Sequence, residues 1–304
     1  SAFTKAGFGG DRQPLRVFPT AIQYPTRTNE NRDTDLWRDG HDVRGIRVLL
    51  CAGFLYDRPG RVGNVRGQPT PTALVVDSGY AVTWTLPVHD HAPLVHPSRM
   101  HDVSGQAIDD WLQQTVMNEV GVELPSNGAW GIALWLAKTE RCRVARDFEE
   151  ESMRWKKSVN DGGHDEIWEL PDGLKVKPNT PLGLRAGEVS FNPSMLGLDV
   201  GGLQYDAFNV IMNCNRDIRD ELCQNVLLAG GNTLFPGFGA RFKCELKGLF
   251  KEGTKINVIS PRNRAYSAWV GGSMLSELST FEGMCVTRAE YEEGGPEIAN
   301  KKFL

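Results

Sequence analysis

NVLLAGGNTLFPG, residues 225–237, joins a short apolar run to an amphipathic one across two glycines. Val226, Leu227 and Leu228 are consecutive apolar residues of strand length, and after Pro236-Gly237 a helical pattern starts at Phe238 and continues through Phe242 and Leu246. The segment predicts strand, glycine turn and helix, a local unit of an α/β fold. Adjacent glycines reach backbone angles closed to other residues and, without a Cβ, let another group come close to the main chain. On spacing alone two readings stand: a turn and nothing more, or a turn that admits a ligand.

Working outward, residues 73–88 (ALVVDSGYAVTWTLPV) read as a hairpin. Ala73–Val76 leads into Asp77-Ser78-Gly79, and the alternation Val82, Trp84, Leu86 makes the return strand. Residues 102–120 predict a helix capped at Ser104, with Ile108, Trp111, Leu112 and Val116 on one face. A second helix is predicted over 130–148, ending in DFEEE, and IWELP at 167–171 before Asp172-Gly173 predicts a hairpin. Residues 211–223 predict one amphipathic helix whose Arg216, Asp217, Arg219, Asp220 and Glu221 form a solvated face. Near the start, glycines at 7, 9 and 10 and then Val17-Phe18-Pro19 fit a hairpin and a short strand ended by the proline. Residues 24–45 are polar and read as a loop, 46–56 (IRVLLCAGFLY) as a buried helix or strand, and 57–71 as a Gly/Pro/Arg loop.

The balance of 34 basic and 38 acidic residues gives a formal charge of −4, which does not suit a nucleic-acid backbone as a direct partner. Six cysteines, at 51, 142, 214, 223, 244 and 285, show no paired short spacing, so neither a zinc knuckle nor a disulfide framework is expected; they read as buried or half-buried thiols in a reducing compartment. No run of about 18 apolar residues is present to span a bilayer, and no signal-peptide core opens the chain, so no membrane partner is expected. His89-Asp90-His91 puts two histidines on one face of a strand end without further ligands, and with His164 in VNDGGHD reads as surface; no metal site is expected.

The glycine stretch resembles the adenosine-side loop of eukaryotic actin. Residues 255–304 resemble the actin C-terminus almost position for position, 191–214 (FNPSMLGLDVGGLQYDAFNVIMNC) the segment ahead of the loop, and residues 5–20 and 73–88 the two phosphate hairpins. The resemblance implies an α/β, actin-like (ribonuclease H-like, duplicated) two-lobed fold with a strongly reduced outer lobe. Residues 1–57 and 267–304 would form that outer lobe, lacking its small subdomain, for which only the polar stretch near 24–45 stands in. Residues 58–266 would form the inner lobe, with 104–198 as its distal part. Ser1 falls where the first phosphate strand, with its acidic residue, should already have ended.

The same resemblance implies nucleotide contacts at Lys5, Asp77, Ser78, Gly79, Gly105, Lys138, Gly230 and Gly231. Departures surround them. Tyr80 stands where an acidic residue near the cation is expected, and a neutral phenol does not replace a carboxylate around magnesium. Trp84 and Leu50 occupy the positions of the histidine and glutamine that align water, and neither can do so. Thr139 replaces the acidic neighbour of Lys138, while Trp135, Ala265 and Phe235 replace an arginine, a lysine and a tyrosine. Polar groups exchanged for larger apolar ones point to a cleft filled by side chains. No catalytic residue and no cofactor are expected, with ATP or ADP and magnesium as the alternative.

Tyr56, Val270, Gly271, Met274, Leu275, Leu278, Thr280 and Met284 match the lining of the actin base cleft, where partners insert an amphipathic helix. Without the outer lobe's docking loop, actin-type filaments are not expected. The expectation is a catalytically inactive actin-like scaffold or adaptor subunit of a larger assembly, of cytoskeletal, ciliary-motor or chromatin type, in the cytoplasm, cilium or nucleus. The alternatives are an ATP-binding switch and a reduced filament subunit.

Overall fold

The computed structural model of the protein describes residues 3–6, 13–14, 16–19, 72–90, 92–120, 128–161, 167–169, 173 and 175–302. The expectations for 24–71, with Leu50, Cys51 and Tyr56, and for Gly7, Gly9, Gly10, His91, His164 and Asp172, lie outside those residues.

Strands β1 (Phe3–Ala6) and β2 (Arg16–Pro19) form an antiparallel hairpin with Lys5 opposite Val17. The strand ended by Pro19 is thus the hairpin's own second arm. The main sheet begins with β3 (Ala73–Ser78), β4 (Thr83–His89), β5 (Ala92–Pro93) and β6 (Arg99–His101). Helices α1 (Gly105–Val120), α2 (Gly128–Arg141) and α3 (Phe148–Asn160) follow, then the small hairpin of β7 (Trp168–Glu169) and β8 (Lys175–Val176). Helices α4 (Leu182–Glu188), α5 (Leu203–Asn213) and α6 (Arg216–Gln224) lead to β9 (Val226–Ala229), α7 (Phe238–Leu249) and β10 (Val258–Ile259). The C-terminal segment holds α8 (Ser267–Ser276), α9 (Phe281–Met284), α10 (Arg288–Gly294) and α11 (Glu297–Lys302).

The sheet order is β10-β9-β3-β4-β5, with β6 also on β4; β10, β9 and β3 run parallel and the rest antiparallel. Apolar residues at successive positions of β3 and β9 are explained by burial on both faces. Leu74, Val76, Val226 and Leu228 enter the larger core with Ile108 and Leu112 of α1, Val210 of α5, Leu222 of α6 and Phe238 and Phe242 of α7. Val75, Leu86, Leu227 and Ala229 form a smaller cluster on the opposite face, against which Ala268 of α8 packs. Phe191, Phe238 and Phe242 join their rings at 5.2–6.5 Å in the larger core.

Two predicted helices are each divided. The one expected over 130–148 stops at Arg141, and DFEEE opens the next helix instead of closing this one. Asp147 is extended and its carboxylate accepts from the Glu150 amide at 3.0 Å, while Glu149, Glu150 and Glu151 sit in the first turn, where the helix dipole favours negative charge. The intervening backbone is held by tertiary bonds: the Val144 amide donates to Pro236 O at 2.8 Å. A Cβ on Gly187 would come within 2.1 Å of Arg143 O, so α4 admits this strand of chain only through its glycines. The helix expected over 211–223 breaks at Cys214-Asn215, where Cys214 is extended. Ile218, Leu222 and Cys223 of α6 turn inward and Arg216, Asp217 and Asp220 outward, as expected; Arg219 and Glu221 are half-buried, and Arg219 Nε donates to Cys214 O at 3.0 Å.

Candidate functional site

The β3–β9 register sets Asp77 beside Ala229, so the residues after both strands, Ser78-Gly79 and Gly230-Gly231, emerge together at the carboxyl ends of parallel strands. Open α/β sheets place ligands at such ends. The start of α1 closes the third side: Gly105 N–H donates to Gly79 O at 2.9 Å and Gln106 N–H to Tyr80 O at 2.8 Å. Two of the four N–H groups that a helix start leaves open are thus taken by the hairpin's own carbonyls. Gly79 N–H is likewise engaged, donating to Val82 O at 3.0 Å across the hairpin turn.

The two glycines of the central stretch differ. Gly230 has φ +84° and ψ 156°, and a Cβ there would lie 2.3 Å from Ser78 O and 2.5 Å from an Asp77 carboxylate oxygen. Gly231 would set its Cβ in open space. The fold therefore demands the first glycine and not the second.

Asn232, which follows the glycines directly and which no motif or spacing marks, is 6% exposed and sits where the three elements meet. Its Nδ2 donates to Gly79 O at 2.7 Å and to Ser78 Oγ at 3.1 Å. Ser78 Oγ and Thr83 Oγ1 are bonded at 2.9 Å, and Thr83 Oγ1 donates to Val103 O at 2.7 Å. Since each hydroxyl has one proton to give, the chain runs in one direction, from Asn232 through Ser78 and Thr83 to Val103 O.

Lys138 on α2 reaches the same corner and is 3% exposed. Its Nζ donates to Gly105 O at 3.1 Å, pairs with Asp109 at 2.6 Å and lies 5.8 Å from the centre of the Tyr80 ring. Its acidic companion is thus one helical turn into α1, while Thr139, at the position expected to be acidic, is exposed and bonds back to Leu136 O. Burial raises the Asp109 carboxyl above its ordinary range, and Lys138 opposes that. Trp84 stands directly across from Asp77 in the β3–β4 pair and is buried, as is Phe235; Trp135 and Ala265 are half-buried.

Lys5 of β1 donates to Ala265 O at 3.1 Å and lies 5.6 Å from the Tyr266 ring centre. It faces half-buried Asp77, whose carboxyl is raised to about 6 by burial against the opposing pull of Lys5. A carboxyl with a native pKa above its unfolded value binds protons first in the folded state, so its burial costs stability above about pH 6 and that cost fades as pH falls towards 4. Replacing Asp77 by Asn is expected to stabilise the protein at pH 7.5 by on the order of 2 kcal/mol and at pH 4.5 by only about a third of that. Urea melts at the two pH values check this; equal effects at both would contradict it.

Residues 134–304, more than half of the chain, match the family model described as Actin. The chain belongs to the actin family. The mixed sheet flanked by helices is an actin-like α/β fold. Lys138, Gly230 and Gly231 fall within the actin match, while Lys5, Asp77, Ser78, Gly79 and Gly105 precede it.

The residues singled out by likeness to the actin base cleft divide. Val270 is 2% exposed and Gly271 buried, so both belong to the packed side of α8. Met274 is 37%, Leu278 48% and Met284 45% exposed, Leu275 is half-buried and Thr280 exposed. The stripe at helical spacing outruns its helix: α8 ends at Ser276, and Leu278 continues only through its N–H to Leu275 O at 3.1 Å.

Elsewhere, His89 is half-buried and tied to Thr72 Oγ1 at 2.8 Å, not a surface residue as expected. Cys142, Cys214 and Cys223 are buried, but Cys244 is exposed. Among the described residues no group of three or more His, Cys, Asp or Glu could hold a metal ion, and no helix is long and apolar enough to cross a membrane.

Proposed function

We propose that the chain is a catalytically inactive, actin-like scaffold or adaptor subunit of a larger protein assembly, with no nucleotide chemistry of its own. One observation carries the proposal: the polar groups at the strand ends are engaged with each other. Asn232 takes Gly79 O and Ser78 Oγ, Lys138 takes Asp109 and Gly105 O, and the Gly79 amide takes Val82 O. With Tyr80 in place of a cation-side carboxylate, this set of residues does not fit a magnesium nucleotide. A reduced outer lobe, with only the polar stretch 24–45 in place of its small subdomain, belongs to the same proposal and removes one half of a filament contact. The working surface is then the base cleft, where exposed Met274, Leu278 and Met284 offer an adaptable apolar face to an amphipathic partner helix. The settings that follow are cytoplasmic, ciliary or nuclear assemblies.

The test is capture of a protein partner from native extract by the wild type and by Leu278→Asp. The variant side chain is nearly half exposed, so the melting temperature is expected to stay within about 2 °C while partner recovery falls at least tenfold. Equal recovery of the same partner by both proteins would overturn the proposed surface.

The second reading, an ATP-binding switch, is favoured by Asp77. A half-buried carboxylate kept at a cost to stability, next to a Gly231 that opens onto empty space, is an arrangement that ligand sites share.

A further inference from the structure

The geometry points to Asn232 as an internal latch: its carboxamide, not a bound ligand, ties the hairpin tip, the start of α1 and the glycine turn into one unit. The inference deepens the proposal of a self-filled cleft and rests on it only for the statement that no ligand does the tying. Gly79 O is a carbonyl and can only accept, so the Asn232 atom 2.7 Å away is the amide nitrogen, and its other proton goes to Ser78 Oγ at 3.1 Å. The other edge of the same group governs Gly105. A Cβ there would lie 2.9 Å from Asn232 Oδ1 and 3.1 Å from Tyr80 Cα, so α1 can start this close to the hairpin only because residue 105 is glycine. The resemblance assigns Gly105 to nucleotide; the structure gives it a neighbour inside the protein. Gly79 O accepts from both Asn232 and Gly105 N–H, which couples the latch to the first turn of α1. Buried and fully joined from Asn232 to Val103 O, the network is of the kind whose interruption is felt by every member.

Amide hydrogen exchange tests this. Asn232→Ala removes both donors, and Asn232→Asp sets a carboxylate against Gly79 O; both are expected to speed exchange of the Gly105 and Gln106 amides roughly tenfold or more relative to the Arg241 amide, which lies within α7. Unchanged Gly105 and Gln106 exchange in both variants would remove the latch. Should neither variant fold, the wild type supplies the measurement. The Asn232 carboxamide protons are expected to exchange more slowly than those of exposed Asn192 and Asn263, and equal rates would overturn the inference. Mg-ATP titrated into the wild type separates the two ideas. Binding that leaves exchange at Gly105 and Gln106 dependent on Asn232 would sink the inactive-cleft proposal and keep the latch; no binding with no Asn232 dependence would do the reverse.

Discussion

Arg241→Met is expected to lower the unfolding free energy by about 3–5 kcal/mol. Arg241 and Glu188 are 7% and 4% exposed and meet in a two-pronged pair at 2.8 and 2.9 Å. The same guanidinium donates to Ala145 O at 3.0 Å and to Glu245 at 2.6 Å, and lies 5.1 Å from the centre of the Phe191 ring. It therefore joins α4, α7 and the segment between α2 and α3. Its loss leaves Glu188 buried without its partner. Burial already raises that carboxyl, and Arg241 is what opposes the rise. In the variant the native pKa climbs further above the unfolded value, so the protein recovers stability as pH falls and is weakest at neutral pH and above. A thermal melt at pH 7.5 should show a drop on the order of 10 °C, smaller at pH 5. Pairing the change with Glu188→Leu should restore most of it, because well-packed apolar residues replace buried ion pairs at little cost. A single variant as stable as the wild type would contradict the described packing.

Gly230→Ala should cost at least about 3 kcal/mol, whereas Gly231→Ala should change stability by less than about 0.5 kcal/mol. At φ +84° and ψ 156° Gly230 occupies a region closed to residues with a side chain. The added methyl would also strike the Ser78 main chain, its O at 2.3 Å and its carbonyl C at 2.5 Å, and that backbone cannot swing aside as a side chain would. The Gly231 methyl meets nothing within 4 Å. Chemical denaturation of both variants decides the matter, and losses of equal size would show that the β3–β9 strand ends do not meet as described.

Much of this fold was legible in the chain itself. Val226–Ala229 and the helix from Phe238 are found where the apolar run and the helical period place them, as is the hairpin around Asp77. Such features are local. The breaks at Arg141 and Asn213 were not legible from periodicity, because apolar spacing continues across them while tertiary bonds such as Val144 N–H to Pro236 O interrupt the helix. Asp147 did carry a readable cap, three residues before Glu150, and its message was lost to the longer pattern. The site divided in the same way. The resemblance to actin marked Gly230, Lys138 and Asp77, but the roles of Asn232 and Asp109 depend on the strand register and on how α1 meets α2, which no spacing within either segment encodes. Leu278 failed as a helical position because α8 ends two residues earlier, at Ser276, a boundary without a glycine or proline to announce it.

Calorimetric titration of the purified chain with Mg-ATP tests most directly the claim that this actin-family cleft is held together by its own side chains. No heat of binding up to roughly millimolar ligand, and no rise in melting temperature at that concentration, is the expected result. Stoichiometric binding at roughly micromolar affinity, stabilising by about 2.7 kcal/mol at a hundredfold excess over Kd and weakened by Asp77→Asn, would contradict it.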